Sequence, residues 1–447
     1  MLDAGRHPNI HLLAYSQVEE IEGEASDFRV KIRKKARYVD ENKCTGCGTC
    51  AEKCPTSVPD AYNEDLAQRR AIYKYFAQGI PSVFTIDTEH CRQFQGKKCG
   101  VCAKVCQAKA VDFEQQDRII ELNVGAVIAA TGYDLFDAGR IPEYGYGKFP
   151  NVMASIEFER LLSASGPTAG HVARPSRLQA EKACVSLDKQ IVKSSKSLAS
   201  FEKKHDMSSE NFCDRLAAGE LETQDDFVRW SEVYEEYRDL VIARDVLKDK
   251  LEHAHHANKL AFIQCVGSRD FRFNAYCSGW CCMHSIKEAI IANEHNPETE
   301  SYIFGMDIRA VGKGFEEYKI RGGKNSGITY IRGRVAEITE AEDHQPVVWY
   351  EDTRERKVKN LPVDLVILAT ACEPSKGTKE LAGILGVELD EYGFIKTDST
   401  RPVDSSVPGI FTCGCAQSPI DIPESVAQAS SAAARAAETV LSRKAAA

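Results

Sequence analysis

Cys44-Thr-Gly-Cys47-Gly-Thr-Cys50-Ala-Glu-Lys-Cys54-Pro55 decides how the chain is read, and Cys91…Cys99-Gly-Val-Cys102-Ala-Lys-Val-Cys106 echoes it. Three cysteines at every third position, then one four residues on and a proline, form the run that holds iron–sulfur cubanes. The short spacing lets three thiolates converge on one cluster, while the fourth cysteine turns away to the other. Cys44, Cys47, Cys50 and Cys106 therefore pair on one [4Fe-4S] cluster, and Cys91, Cys99, Cys102 and Cys54 on a second. Cys91 lies further from Cys99 than the short spacing expects, so a loop is inserted there. The competing reading is a zinc knuckle or a set of disulfides. Zinc ribbons use two well-separated cysteine pairs, which fits two four-cysteine runs poorly.

The rest of the composition bounds the function class. The chain has 447 residues, 17 cysteines, a net charge of -9 and a pI of about 5.8. That length suits two to four domains. No stretch approaches the roughly 18 apolar residues of a membrane span, so no transmembrane segment is expected. Residues from Met1 to Pro8 lack the apolar core of a secretory signal. Many cysteines without such a signal point to metal and redox use in a reducing compartment, hence a cytoplasmic location. The acidic balance argues against nucleic acid as a partner.

Outward from the cysteine runs, residues 9–37 read as short strands, with Ile10, Leu12 and Ala14 alternating. Glu64 to Phe76 reads as helical, and a strand follows around Val83. Gly125-Ala-Val-Ile-Ala-Ala-Thr131-Gly132-Tyr133 reads as a buried strand ending in a turn. Its near-copy, Val363-Asp-Leu-Val-Ile-Leu-Ala-Thr370-Ala371, suggests two nucleotide-type lobes with strands covered on both faces. Residues 176–258 read as a long helical hairpin broken near Gly219, with Leu178, Val192, Phe201, Phe227, Val233, Tyr237 and Leu240 on recurring faces. Its Cys184 and Cys213 are isolated and receive no ligand role.

A further cysteine set lies beyond the hairpin. Lys259-Leu-Ala-Phe-Ile-Gln-Cys265 is a strand running into a loop, and Tyr276-Cys277-Ser-Gly-Trp-Cys281-Cys282-Met-His-Ser-Ile-Lys287 opens a helix. The amides and positive dipole end of that helix favour thiolates or an anionic cluster. Buried apolar cysteines remain the alternative. Near the end, Thr412-Cys413-Gly414-Cys415 and Asp421-Ile422-Pro423-Glu424 form a strand–turn–helix corner. Such a corner either receives a polar ligand or merely packs.

In this order the motifs resemble the flavin- and iron–sulfur-containing A-subunit family of heterodisulfide reductase. They are the two-cluster module, Gly-Ala-Val-Ile-Ala-Ala-Thr-Gly-Tyr-Asp, Phe-Ile-Gln-Cys-Val-Gly-Ser-Arg-Asp, Tyr-Cys-x-x-x-Cys-Cys-Met and Asp-Ile-Pro-Glu-Ser-Val-Ala-Gln-Ala. The resemblance implies an α/β fold: a partial thioredoxin-reductase-like two-lobe arrangement with an inserted two-cluster ferredoxin module and a helical hairpin. The expected divisions are 1–37, a strand remnant of an FAD-binding domain; 38–113, the ferredoxin-like module; and 114–175, the FAD domain continued. Residues 176–258 are the hairpin, 259–376 a lobe with a third cluster site, and 377–447 a C-terminal FAD-binding segment.

The resemblance also assigns residues. It makes Cys265, Cys277, Cys281 and Cys282 ligands of a third cubane beside FAD. It brings Lys287 to the flavin N5, where a cation stabilises the reduced ring. Thr131, Gly132, Gly414, Cys415, Ile422 and Pro423 form the floor and edge of the flavin site. The expected function is electron transfer between FAD and the clusters within a heterodisulfide-reductase-like complex, with flavin-based bifurcation. The expected partners are the other subunits and a ferredoxin, hydrogenase or dehydrogenase component.

Two departures accompany this. No Gly-x-Gly-x-x-Gly follows a strand, so the chain looks like the C-terminal part of the family protein. A separate polypeptide is then expected to complete the FAD site. The loop after Gln264 also lacks a pyrophosphate glycine motif, so this lobe is expected not to bind NAD(P)H. The alternatives are a cluster-only relay or scaffold component without its own flavin, and a component of a quinone-interacting membrane oxidoreductase complex.

Overall fold

A computed structural model describes residues 2–221, 224–253 and 257–446. Strands β1 (Ser16–Glu24) and β2 (Asp27–Lys34) form an antiparallel pair. The cysteine-rich module then interrupts the sheet with two short helices, α1 (Thr49–Glu52) and α2 (Val101–Val105). Each follows a glycine in the left-handed region, Gly48 at φ 94° and Gly100 at φ 69°. Only glycine adopts that turn without strain. Each turn buries the cysteine two residues on, Cys50 or Cys102. Around them pack Val39, Ile72, Val83, Phe84, Ile86 and Ala110. Strand β3 (Arg118–Val124) then closes the sheet against β2.

Next come β4 (Val127–Ala129), β5 (Val152–Ala154) and α3 (Ser155–Leu162). The arm follows as α4 (Pro175–His205), α5 (Ser209–Ala217) and α6 (Asp225–His253). After it come β6 (Lys259–Val266), α7 (Cys281–His295), β7 (Glu300–Gly305), α8 (Phe315–Asn325) and β8 (Ile328–Glu340). The remaining elements are β9 (Pro346–Asp352), β10 (Lys357–Pro362), β11 (Leu365–Thr370), α9 (Thr378–Leu385), β12 (Ile410–Thr412) and α10 (Ile422–Ala446).

The main sheet runs β5-β11-β6-β7-β8-β9-β10, parallel from β5 to β8 and antiparallel beyond. All six residues of β11 are buried. Val366 and Leu368 join one core, while Leu365 and Ile367 join the other, as alternation across a twice-covered strand requires.

Four sequence expectations are corrected. The Gly125–Thr131 run is not a strand covered on both faces. Only Val127–Ala129 is strand, in a two-stranded pairing with β12, and Ile128 is 40% exposed. The long parallel sheet belongs to one lobe, not two. Glu64–Phe76 is not helical: two short strands, Gln68–Arg70 and Ile72–Tyr73, lie there, pairing with Ser57–Pro59 and Thr85–Ile86. Ile10 and Leu12 are exposed and outside any strand.

The arm is helical and breaks at Gly219, where φ is 71°. It holds a third short helix, α5, between the two long ones. Its core is Trp230, stacked on Phe212 at 4.0 Å between ring centroids, with Leu198 beside them. Phe201, Phe227, Val233 and Tyr237 pack there, whereas Val192 is exposed. Residues 222–223 and 254–256 of the arm lie outside the described residues.

Candidate functional site

In the module, burial and then the neighbouring Cys44, Cys102 and Cys47 push the Cys50 thiol up to about 12. Cys102 is pushed up to about 11 by burial and by Cys91 and Cys54. Cys54, Cys91, Cys99 and Cys102 line one small cavity. Cys106 packs in the same core cluster as Cys44 and accepts the Ala110 N–H at 3.4 Å. Cys47 is exposed, and N–H and hydroxyl donors from Thr49 lower its pKa.

The other cysteine set is built by the main sheet. Between Ile263 and Val266 the pairing of β6 with β11 slips, and Cys265 there has φ 62°. That kink brings the Cys265 thiol towards the start of α7. Burial and then Cys282, Cys265 and Cys277 raise the pKa of Cys281. Burial pushes Cys282 up to about 11, against a backbone N–H from Arg309. The Gly279 N–H reaches the Cys277 sulfur at 3.4 Å, and Arg269 lies 4.0 Å from Cys265. The four thiols thus share one neighbourhood at the N-terminus of α7. Among the described residues no three cysteine sulfurs lie within 4.8 Å of one another. A single tetrahedral zinc sets its sulfurs about 3.8 Å apart, so the spacing is wider than one zinc ion needs. Thiols held this high stay protonated when free, whereas a bound metal keeps its ligands as thiolates.

Beyond its cysteines, α7 runs along a cavity of about 740 Å³. Its walls include Lys287, Cys415, Ile422 and Pro423 from the sequence reading. Thr131, Gly132 and Gly414 do not line it. Thr131 instead shares a hydrogen bond with Thr378 at 2.9 Å, and the Gly414 N–H donates to Gln428 at 2.9 Å. Tyr133, Trp280, Met283, His284 and Glu159 also line the cavity and went unnoticed in the sequence. Trp280 sits inside the Cys277–Cys281 gap, and its ring centroid is 5.5 Å from that of Tyr133. An aromatic between ligand cysteines was the available signal. Cys372, fully buried, was also missed. Its hydrogen bond holds the Cys415 thiol below the ordinary range. Cavity size, apolar walls and a lysine suit one edge of a flat, polar-rimmed ring system such as a flavin.

The fold and site define the class first: an iron–sulfur redox protein whose cysteine module accompanies a ligand cavity. Residues 37–60 match the 4Fe-4S binding domain family. Over nearly its whole length the chain is similar to A-subunits of heterodisulfide reductases. It is 38% identical over 440 residues to the A-subunit of the ferredoxin:CoB-CoM heterodisulfide reductase of Methanosarcina acetivorans, covering 98% of this chain and 48% of that one. Against the second iron–sulfur A-subunit of the CoB–CoM heterodisulfide reductase of Methanopyrus kandleri, identity is 41% over 441 residues, 98% of this chain and 55% of that one. The chain spans about half the length of the curated relatives it matches. Thioredoxin reductases of Lactococcus lactis and T. acidophilum align at 20% identity with TM-scores of 0.29 and 0.28. They cover 41% and 42% of this chain and 53% and 52% of theirs. Among the described residues no helix is long and apolar enough to cross a membrane.

Proposed function

We propose that the chain is the flavin- and cluster-bearing part of a redox subunit of the heterodisulfide reductase kind. It would carry three [4Fe-4S] clusters and place the third beside FAD. One observation carries this reading: α7 presents Cys281 and Cys282 at its N-terminus and Lys287 to the cavity about one and a half turns further on. A single rigid helix therefore fixes the distance between cluster and ring.

Cys44, Cys47, Cys50 and Cys106 would hold one cluster, and Cys54, Cys91, Cys99 and Cys102 the second. Cys265, Cys277, Cys281 and Cys282 would hold the third. Bound in the cavity, FAD would supply the exchange between electron pairs and the single electrons that clusters carry. Trp280 and Tyr133 would cover the ring and exclude water, Ile422 and Pro423 would form its edge, and Lys287 would favour negative charge on it. The names of the relatives point to partner proteins that reduce a disulfide and exchange electrons with ferredoxin.

The test uses the full chain, purified anaerobically and supplied with FAD. Reduced ferredoxin should reduce the bound flavin, and Cys281→Ser should slow that step at least tenfold, about 1.4 kcal/mol of barrier. An unchanged rate removes the third cluster from the path. Intact clusters with no flavin uptake, with or without a complementing FAD-binding polypeptide, favour the cluster-only relay.

A further inference from the structure

Outside the cysteine sets, α3 and α7 meet at three ligand-type side chains that the redox reading does not use. His284 and Glu288 sit one turn apart on α7, and Glu159 faces them from α3. One ligand atom from each lies within 4.8 Å of the others. His284 Nε2 is 3.1 Å from a Glu159 oxygen and 3.6 Å from a Glu288 oxygen. Ligands about 2.0–2.2 Å from a shared tetrahedral ion stand about 3.3–3.6 Å apart, so little movement is needed to close on one.

The second observation is Glu288 itself. It is 1% exposed, and neither carboxylate oxygen has a hydrogen-bond partner. A buried carboxylate in that state is costly unless it is neutralised or paired. Burial, with the neighbouring Glu159 adding to it, pushes its pKa up to about 8. His284 gives its hydrogen bond to Glu159 and leaves Glu288 without one. Lys287 is near both carboxylates and forms no ion pair with either among the described residues.

We propose that Glu159, His284 and Glu288 form a binding site for one divalent cation of the manganese–zinc class at the wall of the cavity. An imidazole and two carboxylates suit such an ion, and their two negative charges balance it. The ion would satisfy both unpartnered oxygens of Glu288 and displace any proton on His284. Glu159 and His284 line the cavity, which supplies an entry path and leaves room for water as the fourth ligand.

The probe is Mn²⁺, a hard ion that avoids thiolates and so leaves the cysteine sites alone. It is titrated into the full, cluster-loaded, oxidised chain, with free Mn²⁺ read by EPR. The expected result is one saturable Mn²⁺ per chain, with nitrogen coupling from the imidazole in pulsed EPR. Glu288→Gln, near-isosteric and uncharged, should weaken binding at least tenfold. Glu159→Gln, at the more open cavity wall, should do the same if the first variant fails to fold. Mn²⁺ should also raise the unfolding temperature of the wild type and not of either variant. No stoichiometric Mn²⁺ in the folded wild type overturns the proposal, and so does undiminished binding in a folded variant.

Discussion

The chain offers two sets of cysteines that solve the same problem by opposite means. In the 38–113 module the predicted ligands come from tight local runs, and two helices of a single turn carry one each, Cys50 and Cys102. At the start of α7 the predicted ligands come from a kinked strand, a loop and a helix N-terminus. All of these are anchored in the main sheet, whose strand β11 is wholly buried. On this reading the first set would depend on bound metal for its shape. The second would take its shape from the core around the main sheet. Local spacing therefore announces the first set in sequence, whereas only the fold assembles the second.

The largest expected effect breaks this contrast outright. Removing the clusters with a chelator and an oxidant should unfold residues 38–113, because metal binding there is folding free energy. The α7 region should stay protected. Hydrogen exchange by mass spectrometry reads both in one sample. Equal loss of protection in the two regions contradicts the difference.

A second test works at the seam where the module meets the lobe. Burial pushes the Glu157 carboxyl up to about 7, against the N–H it accepts from Ala154. The folded state therefore holds this proton more tightly than the unfolded chain does. Stability from this group is full below about pH 4.5 and falls as the pH rises towards 7, by roughly 3 kcal/mol at most. Glu157→Gln should flatten that slope in chemical denaturation followed at pH 5 and pH 8.

Arg160 sharpens the same seam with a smaller effect. Its guanidinium donates to Asn63 Oδ1 at 3.1 and 3.0 Å and lies over the Tyr62 ring. Arg160→Ala should cost about 1–3 kcal/mol and speed exchange in residues 60–76, with little change near α7. The smallest effect is electronic. Lys287→Met should lower the two-electron potential of bound FAD by about 20–40 mV, the equivalent of about 1–2 kcal/mol. Redox titration followed by absorbance reads it, and the cluster potentials in the module should not move.

The sequence disclosed what local spacing encodes. The short spacing of the cysteine runs is what makes the crossed pairing of Cys54 and Cys106 an expectation that can be stated. A helix opening within Tyr276–Lys287 and the buried strand at Leu365 also followed from local pattern. The matching run at Val127 misled, because burial depends on what covers a strand, and apolar content does not reveal that. Glu64–Phe76 has helix-forming composition, but its residues pair with Ser57 and Thr85, strands supplied by neighbouring parts of the module. Glu159 and Tyr133 reach the cavity only through tertiary packing, so no spacing in their own segments marks them. Thr131 and Gly132 looked like cavity residues, yet it is the next residue, Tyr133, that faces it.

The central claim is that a third cubane sits at Cys265, Cys277, Cys281 and Cys282. Iron and acid-labile sulfide, assayed on the anaerobically purified full chain, test it most directly. The account predicts about twelve of each per chain, four per cubane. It also leaves five of the 17 cysteines titratable as free thiols. About eight irons, eight sulfides and nine free thiols would contradict it.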